Sequence, residues 1–171
     1  VAEHPFVVSV AALRKRAGNR RAVELEGPLP GLKVTGSAVS DTAPVRADLL
    51  LEGLQGEAIL ATGTVATTWE GACRRCLGPA SGTLEVEVRE LFEAASDAEE
   101  TYPLSGDRVD LEPLVRDAVL LELPQAPLCM EECKGLCPTC GINRNEGTCA
   151  CEPTNRDPRW AALDELKEHR G

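Results

Sequence analysis

At 171 residues, with 28 acidic against 18 basic side chains, the chain carries a formal net charge of -10, the wrong sign for a protein that coats nucleic acid indiscriminately. Only 3% of its residues are aromatic, so its core must be assembled from Leu, Val and Ala, each of which buries less area than a ring. Its longest apolar runs, such as AVLLEL at 118–123, fall far short of the roughly 20 residues that a spanning helix needs.

The N-terminal stretch places its apolar residues before its basic ones, the reverse of a secretory signal, and reads as the start of a cytoplasmic chain. FVVSV at 6–10 is β-branched and AALRKRA at 11–17 favours helix, so a strand entering a short basic helix is expected over 6–16. Five segments of strand length follow: 21–27, 31–39, 44–53, 57–71 and 82–93, each bounded by Gly, Pro or Asp. In the last, Leu84, Val86 and Val88 alternate with Glu85, Glu87 and Arg89, the pattern of a strand with one buried face. Residues 1–92 therefore form a mostly antiparallel β unit, a sheet or a partly open barrel, with CRRC at 73–76 on the tip of its last hairpin.

Residues 93–109 are acidic and poor in large apolar side chains, and read as an exposed loop. Helical spacing of Leu111, Leu114, Val115, Ala118 and Leu121 then predicts a helix with Asp110 as N-cap and Pro113 in its first turn, ending at Pro124. A cysteine-rich segment spans 129–151, and Asp157, Pro158, Trp160, Leu163 and Leu166 mark a C-terminal helix. The expected class is α+β, with 110–171 packed on the β unit as one domain.

Six of eight cysteines fall within residues 129–151, which raises three readings: disulfides, a redox centre or metal. A reducing compartment keeps thiols free and favours metal, and a thioredoxin-like CxxC belongs at a helix start in a βαβ unit rather than between two antiparallel strands. Zinc takes four ligands in a tetrahedron, commonly as two close pairs. The chain offers four pairs: Cys73 with Cys76, Cys129 with Cys133, Cys137 with Cys140, and Cys149 with Cys151. The most economical pairing closes one site from Cys137, Cys140, Cys149 and Cys151, and a second from Cys73, Cys76, Cys129 and Cys133, stapling the tail to the hairpin. All-cysteine zinc leaves no coordination position for a substrate and points to structure.

The two histidines, His4 and His169, lie near the ends of the sequence, and no phosphate-binding loop or dinucleotide fingerprint occurs. The expectation is a protein that is not an enzyme. Positive charge gathers at Arg14, Lys15, Arg16, Arg20 and Arg21, and again at Arg74 and Arg75. Sharing one face, the two groups would make a local phosphate-contacting patch on an acidic body. Glu85, Glu87, Glu90, Glu93, Glu99 and Glu100 offer the opposite sign to a basic protein.

Taken together, CRRCLGP (73–79), DLEPLVRDAVLLELPQAPLC (110–129), CKGLCPTCGINRNEGTCAC (133–151) and DPRWAAL (157–163) resemble the YceD-like family of large ribosomal RNA subunit accumulation proteins. The resemblance implies a bacterial cytoplasmic factor for accumulation or processing of 23S ribosomal RNA, with no catalytic residues and with the eight cysteines as zinc ligands. Its expected partner is precursor 23S ribosomal RNA or a large-subunit ribosomal protein. The alternative is a zinc-dependent protein adaptor or regulator with no ribosomal role.

Overall fold

Two long strands dominate the computed structural model, which describes residues 5–94 and 100–151. β5 (Ile59–Ala72) and β6 (Pro79–Glu93) form an antiparallel hairpin paired along its whole length, from Ile59 opposite Phe92 to Ala72 opposite Pro79. Before them run β1 (Val7–Ser9), α1 (Ala11–Arg14), β2 (Arg20–Pro28), β3 (Ser37–Ala38) and β4 (Pro44–Gly53). After them come β7 (Tyr102–Pro103), β8 (Arg108–Asp110) and α2 (Glu112–Glu122). The main sheet has the order β2-β4-β5-β6-β7, with β3 pairing the far half of β5, and β1 pairs β8 in a separate two-stranded sheet. The main sheet is not closed among the described residues.

Alternation decides which face is covered. In β4, Val45, Ala47, Leu49 and Leu51 are buried while Arg46, Asp48 and Leu50 face solvent, and β6 repeats the pattern with Leu84 inside and Glu85, Glu87 and Arg89 outside. The inner face packs with Leu114, Val115 and Val119 of α2, with Leu13 of α1 and with Phe6, Val8 and Val109 in one apolar cluster. β4 and β5 approach closely at Gly63 (φ 151°), where an added Cβ would lie 2.1 Å from the Asp48 carbonyl oxygen, a separation that only glycine permits.

Three local expectations are revised. The stretch 93–109 is not all loop: Tyr102 pairs with Phe92 in parallel β fashion and stacks on its ring at 5.2 Å, while Leu104 and Val109 are buried. A few apolar residues at the right register suffice to anchor an acidic segment. Residues 31–39 supply only the two-residue β3, because the segment folds back on itself, with the Val34 N–H donating to Ser37 O and the Val39 N–H to Leu32 O, each at 2.9 Å. In α2 the position before the first turn is Leu111, with Asp110 Oδ1 accepting the Glu112 N–H at 3.0 Å, and Leu121 is exposed while Val119 and Leu123 are buried. The C-terminal helix expected from 157 and both histidines lie outside the described residues.

Candidate metal centres

The turn between β5 and β6 is built around its first cysteine. The Cys73 N–H donates to the Gly78 carbonyl at 2.8 Å and the Leu77 N–H to the Cys73 carbonyl at 2.9 Å. The same two bonds recur 64 positions later: Cys137 N–H to Ile142 O at 2.8 Å, and Gly141 N–H to Cys137 O at 2.9 Å. Both turns need a left-handed residue after the second cysteine, supplied by Leu77 (φ 61°) in one and Gly141 (φ 75°) in the other. Two copies of one knuckle thus present Cys73 with Cys76 and Cys137 with Cys140, each turn aiming both sulfurs to the same side.

The segment carrying Cys129 and Cys133 is tied to the hairpin tip by backbone and side chain. Arg74 N–H donates to Pro127 O at 2.9 Å, and Leu136 N–H to Arg75 O at 3.0 Å. The Arg75 guanidinium donates to Glu131 O at 3.2 Å and Cys133 O at 2.9 Å. The result sets Cys73 Sγ 3.7 Å from Cys133 Sγ and Cys76 Sγ 3.6 Å from Cys129 Sγ. All four sulfurs of this group lie within 4.8 Å of one another, as do those of Cys137, Cys140, Cys149 and Cys151.

These distances test the fit to a metal. A zinc–sulfur bond of about 2.3 Å places the sulfurs of a tetrahedron about 3.8 Å apart, whereas a disulfide needs about 2.0 Å. The observed separations match the former, and all eight cysteines are free thiols. N–H donors reach the sulfurs as well: Arg75 N–H to Cys73 Sγ at 3.4 Å and the Asn145 side-chain amide to Cys133 Sγ at 3.2 Å. Such donors stabilise thiolate ligands. The Asn145 contribution escaped the sequence reading; an Asn inside a turn-rich loop carries no signal of its own beyond turn preference.

Electrostatics divides each group unevenly. Backbone N–H groups, that of Cys76 foremost, hold the Cys73 thiol down to about 6, and the backbone at Cys140 and Thr139 does the same for Cys137. Burial, with the neighbouring Cys76, pushes Cys129 up to about 12, and the adjacent Cys140 pushes Cys151 up to about 12. Four thiols this close cannot all ionise unless a cation joins them. The groups also differ in cover. Cys73, Cys133 and Cys76 are 0%, 3% and 9% exposed beneath Trp69, Leu128 and Leu136, whereas Cys140 is exposed and Cys149 and Cys151 are half-buried.

The basic residues do not meet. Arg20 lies opposite Glu52, and Glu52 opposite Leu60 at the start of β5, whereas Arg74 and Arg75 follow its last residue, Ala72. Twelve strand positions separate the two ends, on the order of 40 Å. Arg14 pairs with Glu57 and Asp107, Arg20 with Glu52 at 3.1 Å, and Arg21 donates to Ser9 O at 3.0 Å, while Lys15 and Arg16 are exposed. The N-terminal group therefore forms no patch with Arg74 and Arg75. Of the acidic residues, Glu85 and Glu87 are exposed on the outer sheet face, Glu90 and Glu93 are half-buried, Glu100 is exposed and Glu99 lies outside the described residues.

An open, mostly β fold whose longest hairpin carries one half of a four-cysteine cluster, with a second such cluster beside it, defines a β protein with paired all-thiol centres. A family model matches residues 61–167, a span that includes all eight cysteines, and the chain belongs to that family, described as large ribosomal RNA subunit accumulation protein YceD. The chain is 36% identical to an uncharacterized protein of Mycobacterium tuberculosis over 95% of this chain and 81% of that protein. It is 30% identical to an uncharacterized protein of Mycobacterium leprae, over 95% and 77% respectively. It is 33% identical to the large ribosomal RNA subunit accumulation protein YCED homolog 1, chloroplastic, of Arabidopsis thaliana, over 39% of this chain and 21% of that protein. No solved structure matches the chain.

Proposed function

We propose that this protein is a non-enzymatic ribosome-biogenesis factor that supports accumulation or processing of 23S ribosomal RNA in the bacterial cytoplasm, and that two zinc ions hold its shape. The observation that carries the process is family membership, since the matching model describes proteins of large-subunit ribosomal RNA accumulation. The zinc reading rests on two groups of four thiols with sulfur separations that suit tetrahedral coordination.

Cys73, Cys76, Cys129 and Cys133 would hold one ion, and Cys137, Cys140, Cys149 and Cys151 the other. Bound zinc supplies cross-linking, contributing on the order of 10 kcal/mol per structural site to folding, and a saturated thiolate shell leaves it no position for substrate. The partner is precursor 23S ribosomal RNA or a large-subunit ribosomal protein. No helix among the described residues is long and apolar enough to cross a membrane.

The test is the ratio of 23S to 16S RNA, mature and precursor, in cells depleted of the protein and rescued with wild type or with Cys137→Ser plus Cys140→Ser. A selective loss of 23S RNA that wild type restores and the double variant does not is the expected result. An unchanged ratio on depletion would overturn the ribosomal role.

A further inference from the structure

Lys134 and Arg144 stand ten positions apart and belong to neither basic group read from the sequence, yet the fold brings them to one cleft. Residues 134–136 are clamped between two neighbours. Leu136 N–H donates to Arg75 O at 3.0 Å on one side, and Arg144 N–H donates to Gly135 O at 2.9 Å on the other. Lys134 N–H meets the Asn145 side-chain oxygen at 2.8 Å. These bonds set Lys134 and Arg144 on the walls of a cleft of about 490 Å³, completed by Gly147, Thr148 and Cys149.

Among the described residues no carboxylate lines this cleft, in a chain whose net charge is -10. Two acids lie two positions from these cations: Glu146 is engaged by the Asn143 side-chain amide at 2.6 Å, and Glu132, like Glu131 before it, is exposed on the preceding segment. Two cations, a hydroxyl and a glycine around an open cleft suit a phosphate group, because Lys, Arg and Thr all donate to phosphate oxygens. Both cations are exposed, and neither side chain makes an ion pair or hydrogen bond among the described residues, so they are available to an incoming anion.

We propose that the cleft between Lys134 and Arg144 is a phosphodiester contact site for RNA, with the Thr148 hydroxyl as a further donor. The proposal rests on the ribosomal reading above and places the RNA contact on the metal-held lobe rather than on the N-terminal arginines. The competing role for the same cations is counter-charge: four thiolates around a divalent ion leave a net charge of -2, and Cys149 lines the cleft. The two roles separate by what disappears when the cations are removed.

The experiment uses zinc-loaded full-length protein and a short fluorescent single-stranded RNA, with binding followed by anisotropy across a salt series. Three proteins are compared: wild type, Lys134→Gln plus Arg144→Gln, and Arg46→Gln plus Arg89→Gln on the outer sheet face as control. The cleft variant is expected to bind about tenfold more weakly, with a log–log salt slope smaller by about 1.4, at about 0.7 for each single-strand phosphate contact. Its zinc content stays at the wild-type value and the control binds as wild type. RNA binding by the cleft variant equal to wild type would overturn the site, and so would loss of zinc in step with loss of RNA. Wild-type protein that restores 23S RNA in depleted cells yet binds no RNA would overturn the cleft alone and leave the ribosomal role to a protein contact.

Discussion

Cys73 Sγ and Cys133 Sγ stand 3.7 Å apart although 60 positions separate them in the chain. The first is on the tip of the β5–β6 hairpin and the second follows α2, so their meeting ties the segment after α2 to the far end of the hairpin. Replacing Cys73 and Cys76 by Ser is expected to lower the zinc content from two ions to one and to release residues 127–136 from the hairpin. Hydrogen exchange reads the release directly, at the Arg74 and Leu136 amides that bond across the junction. Cys137→Ser plus Cys140→Ser should also remove one ion while leaving those amides protected. Because Cys140 is exposed and Cys73 is not, a chelator or alkylating agent should strip the second cluster first. Unchanged zinc in either variant would overturn the corresponding four-thiol assignment.

Asn145, in the loop between Cys140 and Cys149, reaches a sulfur of the first cluster with its side chain. Its amide donates to Cys133 Sγ at 3.2 Å and its oxygen accepts the Lys134 N–H at 2.8 Å, while Asn143 Oδ1 accepts from both its backbone and its side chain. Asn145→Asp exchanges a donor for a second acceptor beside a thiolate. Zinc affinity at the first cluster, measured by competition with a metal-sensitive dye, is expected to fall about 10- to 100-fold, the range for a lost outer-shell partner. Wild-type affinity in Asn145→Asp would show that the amide contributes nothing to the thiolate.

The two knuckles share their hydrogen bonds but differ at the left-handed position, where one has Gly141 and the other Leu77, 69% exposed. A left-handed backbone penalises an L residue by about 1–2 kcal/mol, part of which glycine returns as unfolded-state entropy. Leu77→Gly in the zinc-loaded protein is therefore expected to gain about 0.5–1 kcal/mol, read as a higher urea midpoint. Leu77→Val should lose stability, since β-branching worsens the same strain. A lower midpoint for Leu77→Gly would mean that the leucine side chain holds packing worth more than the strain.

What was legible in the sequence was periodicity and cysteine spacing. Leu84, Val86 and Val88 set against Glu85, Glu87 and Arg89 announce which face of β6 is covered, and four close cysteine pairs announce two tetrahedral groups. Less legible was anything that depends on register over a distance. Arg21 and Arg74 look like members of one patch until β5 is known to place an extended run of strand between them. Tyr102 and Leu104 sit in an acidic stretch with no alternation to mark them, because the strand they seed is two residues long and is anchored by a ring on Phe92. Lys134 and Arg144 are individually ordinary; only the bonds that clamp Gly135 and Leu136 show that they share a cleft.

Tyr102 is the single tyrosine of the chain, so tyrosinate absorbance reports on it alone. Burial first, then the hydrogen bond from its hydroxyl to Asp117 Oδ2 at 2.9 Å, raise its pKa well above the ordinary tyrosine value. The folded state therefore favours the neutral phenol. Its stabilising contribution is complete below the unfolded pKa of about 10 and is lost as pH rises through the folded value. Spectrophotometric titration of the native protein should show tyrosinate appearing well above that reference, and titration in denaturant should restore it. Tyr102→Phe should flatten the part of the alkaline stability loss that begins near pH 10 while keeping the stack on Phe92. A native titration at the ordinary value would show that the phenol is neither buried nor bonded to Asp117, and would detach β7 from α2.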